Sequence, residues 1–307
     1  MIDKLIAEKA ARINDIVESY LPPADGFNRT VCEAMAYSVE AGGKRLRPML
    51  MEETYRLFGG KSEVIKPVRA AIEMIHTYSL IHDDLPALDN DDYRRGRKTS
   101  HVVFGEAMAI LAGDALLNYA YETACKAFGM DEDIHAVASA MCVLSQKPGI
   151  NGMIGGQVVD VEMTGKELSK EQLEYVYENK TGALIEASMM IGAILAGADE
   201  AKVAAVHKIA SDVGMAFQIQ DDILDVCGDS ALLGKPTLSD EENGKVTYVT
   251  IHGIDESRRY VTELSERAVR ELEEIGGDNE FLKELVIWLI NRDKYCLLYT
   301  SDAADEL

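Results

Sequence analysis

The chain has little of what builds a secreted, membrane-embedded or nucleic-acid-binding protein. Its 307 residues hold only five cysteines, Cys32, Cys125, Cys142, Cys227 and Cys296. An odd count with no CxxC spacing argues against a disulfide framework or a clustered zinc site, and for a reducing compartment. There is one tryptophan, and the seven prolines are scattered at element ends. Without a Pro/Gly/Ser-rich linker or an internal repeat, the chain reads as a single domain. The longest apolar stretch, near Ser188–Ala198, falls short of the ~20 residues a bilayer span requires. The N-terminus mixes charges into its apolar pattern (Met1-Ile-Asp-Lys-Leu-Ile-Ala-Glu-Lys) and lacks a signal-peptide core. Positive charge is scarce as well: 31 Lys+Arg against 53 Asp+Glu leave a net charge of −22. That balance argues against nucleic acid as a partner and makes a soluble cytoplasmic protein the expectation.

What is present is helical periodicity. Ile2, Leu5, Ile6, Ile13, Ile16, Val17 and Tyr20 trace one face of a first helix. Ile72, Ile75, Ser79 and Leu80 lead into an acidic cluster, and Val213, Phe217, Gln220 and Leu224 carry a second. Ser169 with Gln172 three residues on predicts a capping box opening a helix through Leu173, Val176, Tyr177 and Leu184. Glu284–Ile290 predicts a closing amphipathic helix. Strand signals are sparse: Lys245–Ile251 alternates enough for a strand, and Gln157–Met163 fits strand or helix. The expected fold class is all-α.

The two acidic clusters are Asp83-Asp84-Leu85-Pro86-Ala87-Leu88-Asp89 and Asp221-Asp222-Ile223-Leu224-Asp225. Carboxylates crowded in this way repel one another unless a cation lies between them. The natural one is Mg²⁺, which takes one or two protein carboxylates and completes its shell with water and phosphate oxygens. Asp221 and Asp225 are i, i+4 and share a helix face, with Gln218 nearby. Asp83 and Asp89 would point apart on a straight helix, since six residues turn it roughly 240° past a full turn's start. Pro86 disfavours helix at Leu85 and removes an N–H, so the chain is expected to leave the helix there and curl Asp89 back towards Asp83. His76 stands two turns before Asp83. An acidic protein handling an anionic substrate also needs local cations. Lys44, Arg45 and Arg47 form one basic group, and Arg94, Arg95, Arg97 and Lys98 another.

Each feature alone has a blander reading. A single DDxxD is a common acidic helix face, and His76 alone fits a packed core histidine. Gly42-Gly43-Lys44-Arg45-Leu46-Arg47-Pro48 fits a solvated turn as well as a phosphate cradle made of backbone N–H groups. Lys180 and Thr181 alone would be helix surface. The stretch from Asp89 hints at a calcium loop, but its twelfth position is Ser100 instead of glutamate. The cysteines and thirteen methionines serve as core filler.

Taken together, the ordered motifs GGKRLRP, HTYSLIHDDLPALDNDDYRRGRKTSH, LAGDALL, GGQVVDVE, KTGALIEAS and FQIQDDILDV are far more specific. Along residues 42–248 the chain resembles the trans-isoprenyl diphosphate synthases, in the bacterial farnesyl-type form whose first motif is DDxxxxD. The resemblance implies an all-helical bundle of about ten or more helices around a central cavity, a catalytic domain over residues 1–294, and a homodimer. It implies head-to-tail joining of isopentenyl diphosphate to dimethylallyl and geranyl diphosphate, with Mg²⁺ (about three ions per site) as cofactor. Asp83, Asp89 and Asp221 would hold the metal on the allylic diphosphate, with Asp84 and Asp225 supporting, and Asp222 would belong to the catalytic set. Arg94, Lys180, Lys235 and Lys245 would pair with that diphosphate. Gly43, Lys44, Arg47, His76 and Arg95 would hold isopentenyl diphosphate, and Thr181 and Gln218 would direct oxygens at the developing allylic cation.

Tyr78, five residues before Asp83, lies ~7–8 Å down the helix at ~1.5 Å per residue. It fits an ordinary buried aromatic or a floor to the tail cavity, and an aromatic at this position implies a fifteen-carbon product by resemblance. The rival within the same reaction is a geranylgeranyl (twenty-carbon) diphosphate synthase. A terpene cyclase would not need Lys44, Arg47 and Arg95, and a non-catalytic subunit would have degraded aspartate motifs. The closing segment, Tyr295–Leu307, switches abruptly from apolar to acidic and reads as a non-native extension outside the fold. Truncation after Lys294 is expected to leave activity intact.

Overall fold

The computed structural model describes residues 2–130, 133–227 and 246–290. The proposed tail, Lys235 and Lys245 lie outside them. Among the described residues the architecture is helical throughout apart from one two-stranded hairpin. The helices are α1 (Ile2–Ser19), α2 (Arg29–Val39), α3 (Leu46–Leu57), α4 (Ile65–Asp83), α5 (Ser100–Phe104), α6 (Glu106–Ala124) and α7 (Ile134–Gln146). They continue as α8 (Met153–Met163), α9 (Lys170–Val176), α10 (Ala183–Leu195), α11 (Glu200–Cys227), α12 (Tyr248–His252), α13 (Ile254–Ile275) and α14 (Glu280–Ile290). No described helix is long and apolar enough to cross a membrane.

The core is built from helices buried on most of their surface. In α4, Val68, Ala70, Ala71, Ile72, Met74 and Ile75 are all fully buried. Consecutive burial of this kind marks a helix surrounded by others. Helix α4 packs against α6, α10 against α3 and α11, and α11 against α13. The amphipathic α1 buries Ile6, Ala10, Ile13 and Val17 along one stripe, as its spacing predicts.

One predicted element changes type and one open reading is decided. The described part of the alternating segment near residue 250 is helix: Thr247 caps α12, accepting from the Thr250 N–H while the Thr250 hydroxyl accepts from the Thr247 N–H. A reciprocal cap satisfies N–H groups that a strand would have left to a partner strand. Gln157–Met163 likewise belongs to α8. The Ser169–Gln172 capping box forms, but the helix it opens is interrupted. Residues Tyr177–Gly182 make a π-helical turn before α10 resumes. Such wide turns inside α-helices concentrate at functional sites, and this one carries Lys180 and Thr181.

The basic loop before α3 is pinned from within. Arg45 adopts a left-handed backbone (φ 49°), and its buried guanidinium pairs with Glu73 at 2.6 Å. It also donates to the Asn14 side chain and the Val39 carbonyl. Grouping Arg45 with Lys44 and Arg47 by sequence therefore merges two jobs, since Arg45 is buried and committed to Glu73 while its neighbours are only partly buried. Arg45→Ala strands a buried carboxylate, and a thermal or urea titration is expected to show a loss of about 3–5 kcal/mol.

Candidate active site

Helix α4 ends where Pro86 requires. The Asp89 N–H donates to the Asp83 carbonyl at 2.9 Å and the Asn90 N–H to the Leu85 carbonyl at 3.1 Å. Asn90 takes the left-handed conformation (φ 54°) that reverses the chain. The loop thus folds Asp89 back over the helix end that carries Asp83. Immediately after it, Tyr93–Arg94 and Arg97–Lys98 pair as an antiparallel hairpin. Arg95 and Gly96, both at positive φ, form its turn.

The hairpin returns Arg94 to the aspartates: its Nε and Nη2 both lie 2.6 Å from Asp84 Oδ1. Arg95 reaches the other way and donates to the Gly42 carbonyl. A Cβ on Gly43 would stand 2.8 Å from the Arg95 guanidinium, so glycine at that position is what lets the two basic segments touch. Arg47 Nη1 lies 3.3 Å from His76 Nε2. A guanidinium only donates, so Nε2 accepts and the His76 proton sits on Nδ1. Burial and then Arg47, Arg95, Arg45 and Arg94 hold the His76 pKa well below its usual value, which keeps the ring neutral at physiological pH.

Three spaces meet around the π-turn. A basic basin of about 270 Å³ is lined by Lys44, Arg47, His76, Arg94, Arg95, Thr181, Gln218 and Asp221. A larger cavity of about 540 Å³ runs beside it. Asp83, Gln157 and Lys180 stand at its polar side, and Leu88, Leu117, Met153, Ile154, Val158, Val161 and Tyr78 make it largely apolar. A third space of about 130 Å³ shares Lys180 with the apolar cavity and Thr181 and Gln218 with the basin. The two aspartate segments, far apart in sequence, therefore line adjoining spaces with Lys180 and Thr181 between them. Thr181 Oγ1 donates to Gln218 Oε1 at 2.9 Å. In that bond the threonine oxygen donates and the glutamine oxygen accepts, so the two oxygens are not equivalent.

Two residues of α8 that sequence reasoning left without a role complete the polar wall. Gln157 Nε2 donates to Asp83 Oδ1 at 2.8 Å, and Asp160 accepts from Lys180 Nζ at 2.6 Å. Their i, i+3 spacing inside the quoted GGQVVDVE motif was the available signal. Gly156 explains the proximity, because a Cβ there would meet the Lys180 backbone nitrogen at 2.3 Å. Burial weakens the hold of Lys180 on its proton, but Asp160 and Asp83 more than offset this and its pKa is raised.

Within the second cluster the aspartates diverge. Asp221 lines the basin. Asp222 is buried (3%) and accepts from the Tyr177 hydroxyl and from the Tyr248 N–H at 2.8 Å. Asp222 thereby ties α11 to the start of the π-turn and the first turn of α12, a positioning task that adjacency to Asp221 did not reveal. Asp225 is also buried (3%). Tyr177 and Tyr248 were likewise missed, for lack of any local pattern.

Burial pushes the Asp83 carboxyl up to about 6, with Asp89 and Asp84 adding to the shift and Lys180 and Arg94 opposing it. A carboxylate held so reluctantly in its charged form is a natural cation ligand. Carboxylates such as Asp83, Asp84 and Asp221 suit a hard cation that brings phosphate and water oxygens with it, as Mg²⁺ does. The raised pKa also sets a sign for stability. The folded state holds a proton that the unfolded chain releases near pH 4, so ionising Asp83 costs stability as pH rises from about 4 to about 6. In the absence of divalent cations, Asp83→Asn should gain melting temperature relative to the parent across that window, and the gap should close below it. Thermal denaturation of both proteins from pH 4 to pH 7 measures it.

The polyprenyl synthetase signature matches residues 28–284. The farnesyl diphosphate synthase of Geobacillus stearothermophilus is 41% identical over 290 residues, covering 93% of this chain and 97% of that protein. The chloroplastic geranylgeranyl pyrophosphate synthase of Catharanthus roseus is 46% identical over 251 residues, 80% of this chain and 69% of that protein. Among solved structures, a Helicobacter pylori geranyltransferase complexed with magnesium and isoprenyl diphosphate superposes with a TM-score of 0.80 at 30% identity, covering 94% of this chain and 96% of its own. With the aspartate motifs, the basic basin and the apolar cavity in one helical bundle, the chain belongs to the polyprenyl synthetase family.

Proposed function

We infer that the protein is a Mg²⁺-dependent prenyltransferase that joins isopentenyl diphosphate head-to-tail to dimethylallyl and then geranyl diphosphate, releasing farnesyl diphosphate. The observation that carries this reading is the adjacency of a basic basin and an apolar cavity across the π-turn that holds Lys180 and Thr181. Two diphosphates need two anion sites, and a growing hydrocarbon needs a dry channel between them.

In this reading the allylic tail lies in the apolar cavity and its diphosphate meets Asp83, Asp89 and Asp221, with Asp84 and Asp225 behind them. Mg²⁺ held there supplies Lewis-acid stabilisation of the charge growing on the leaving oxygens. Lys180 and Arg94, with Lys235 and Lys245, add fixed positive charge at the same oxygens, where preorganised charge lowers the barrier most. Lys44, Arg47, His76 and Arg95, on a backbone turn at Gly43, fix isopentenyl diphosphate so that its double bond lies against the allylic cation, a positioning task. His76 is neutral and donates from Nδ1; the charge comes from its arginine neighbours. Thr181 and Gln218 face the cation with oxygen. The proton lost from the new bond passes to the departing diphosphate, so no strongly basic side chain is required.

Residues 1–294 act as one catalytic unit in this scheme, in the cytoplasm and as a homodimer. Val102, Val103, Ile110, Leu111, Ile154 and Val158 are exposed on α5, α6 and α8, and an apolar surface of that kind favours a second copy. The C. roseus relative keeps a twenty-carbon product as the second reading. The deciding experiment incubates the full-length protein with Mg²⁺, isopentenyl diphosphate and each of dimethylallyl, geranyl and farnesyl diphosphate. Farnesyl diphosphate as the end product is expected. Efficient extension of farnesyl diphosphate would move the assignment to the longer product, and no condensation with any primer would sink it.

A further inference from the structure

The one tryptophan of the chain, Trp288, sits far in sequence from every motif above, yet its ring lies against Lys44, a residue that lines the basic basin. Helix α14 buries Leu282, Leu285, Val286, Leu289 and Ile290 against the bundle, which leaves Trp288 half-buried beside the loop that precedes α3. Its indole N–H donates to Asp3 Oδ1 at 2.8 Å, and that bond fixes the plane of the ring. Lys44 Nζ lies 4.3 Å from the ring centroid, while the same lysine lines the basin with Arg47, His76 and Arg95.

We propose that Trp288 is a positioning residue for the isopentenyl diphosphate subsite, holding the Lys44 ammonium at the basin by a cation–π contact. The inference rests on the reading of that basin given above. A lysine carries four rotatable carbons, and fixing its head costs rotamer entropy unless something holds it beforehand. An aromatic face attracts the ammonium through its quadrupole and adds no net negative charge. Arg45 holds the loop from inside through Glu73, and Trp288 holds the lysine head from outside. The relay from α1 through Asp3 and α14 thus delivers Lys44 to the site already ordered.

The test uses the full-length protein with Mg²⁺ and compares Trp288→Leu, Trp288→Phe and Lys44→Gln with the parent. Trp288→Leu is expected to raise the KM for isopentenyl diphosphate about threefold to tenfold, the range a cation–π contact corresponds to, with the loss concentrated in KM instead of kcat. Trp288→Phe, which keeps a ring, should recover most of it. If Lys44→Gln raises that KM and Trp288→Leu does not, the role of Trp288 is refuted while the basin reading stands. If Lys44→Gln leaves it unchanged, the basin reading fails and this inference with it. Should Trp288→Leu fold poorly, the parent supplies the answer, because all indole fluorescence comes from Trp288. Isopentenyl diphosphate should change that fluorescence saturably with a midpoint near its KM, and Lys44→Gln should diminish the change. A signal that stays flat through saturation overturns the proposal.

Discussion

Asp83→Ala and Asp221→Ala are each expected to lower kcat by about 10²–10³-fold or more, the cost of removing one preorganised group that stabilises transition-state charge. The two side chains reach the site from different helices, one at the C-terminal end of α4 and one in the last two turns of α11, and each lines its own space beside the π-turn. Under the proposed scheme, losing either would leave the departing diphosphate held from one side. Neither substitution should unfold the protein, since neither residue is fully buried. Asp83→Ala should if anything relieve the cost of ionising a partly buried carboxyl. Asp222→Ala provides the contrast: it takes the acceptor from the buried Tyr177 hydroxyl and leaves the Tyr248 N–H only its 3.2 Å bond to that hydroxyl oxygen, so its melting temperature should fall along with its turnover. Steady-state rates at saturating Mg²⁺ and both substrates, read beside thermal melts, separate the two classes. Near-normal turnover in both Asp83→Ala and Asp221→Ala would rule out the two-sided grip.

Tyr78→Ala should lengthen the product from fifteen to twenty carbons or beyond. Tyr78 is 5% exposed and lines the apolar cavity on the same helix as Asp83, about 7–8 Å from it along the axis. Its ring meets His82 edge-on with centroids 5.8 Å apart, which fixes it as a wall. The phenol hydroxyl is buried with no hydrogen-bond partner among the described residues, and burial raises its pKa, so the group is neutral and contributes bulk. An orphaned hydroxyl costs about 1–3 kcal/mol. Tyr78→Phe should therefore keep the fifteen-carbon product and raise the melting temperature. Chromatography of the dephosphorylated products of the parent and both variants is the measurement. A fifteen-carbon product from Tyr78→Ala would place the floor elsewhere, and a longer product from Tyr78→Phe would assign the stop to the hydroxyl instead of the ring.

Much of this was legible before any coordinates. The α1 stripe, the Ser169 cap and the break at Pro86 each follow from interactions within a few residues, and each forms where the spacing put it. The strand expected near residue 250 failed for a related reason: alternation describes a face to bury, but the Thr247–Thr250 cap satisfies the local N–H groups as a helix. The π-turn had no counterpart in the pattern of apolar residues. An insertion that widens one turn shifts the following helix face by about one residue's arc, and periodicity over a short window does not resolve where that shift falls.

By itself the sequence determined that this is a helical protein with two carboxylate clusters and enough local cations to take a diphosphate, because helix period, caps, proline breaks and charge are properties of neighbours along the chain. Only the tertiary structure decided that Arg45 is an anchor while Lys44 and Arg47 serve the basin, and that Asp222 braces the fold beside Asp221. The partnering of Gln157 with Asp83, of Asp160 with Lys180, and of Trp288 with Lys44 was decided there too. Such pairings depend on how helices cross, and a side chain's place on its own helix says nothing about which neighbour will face it.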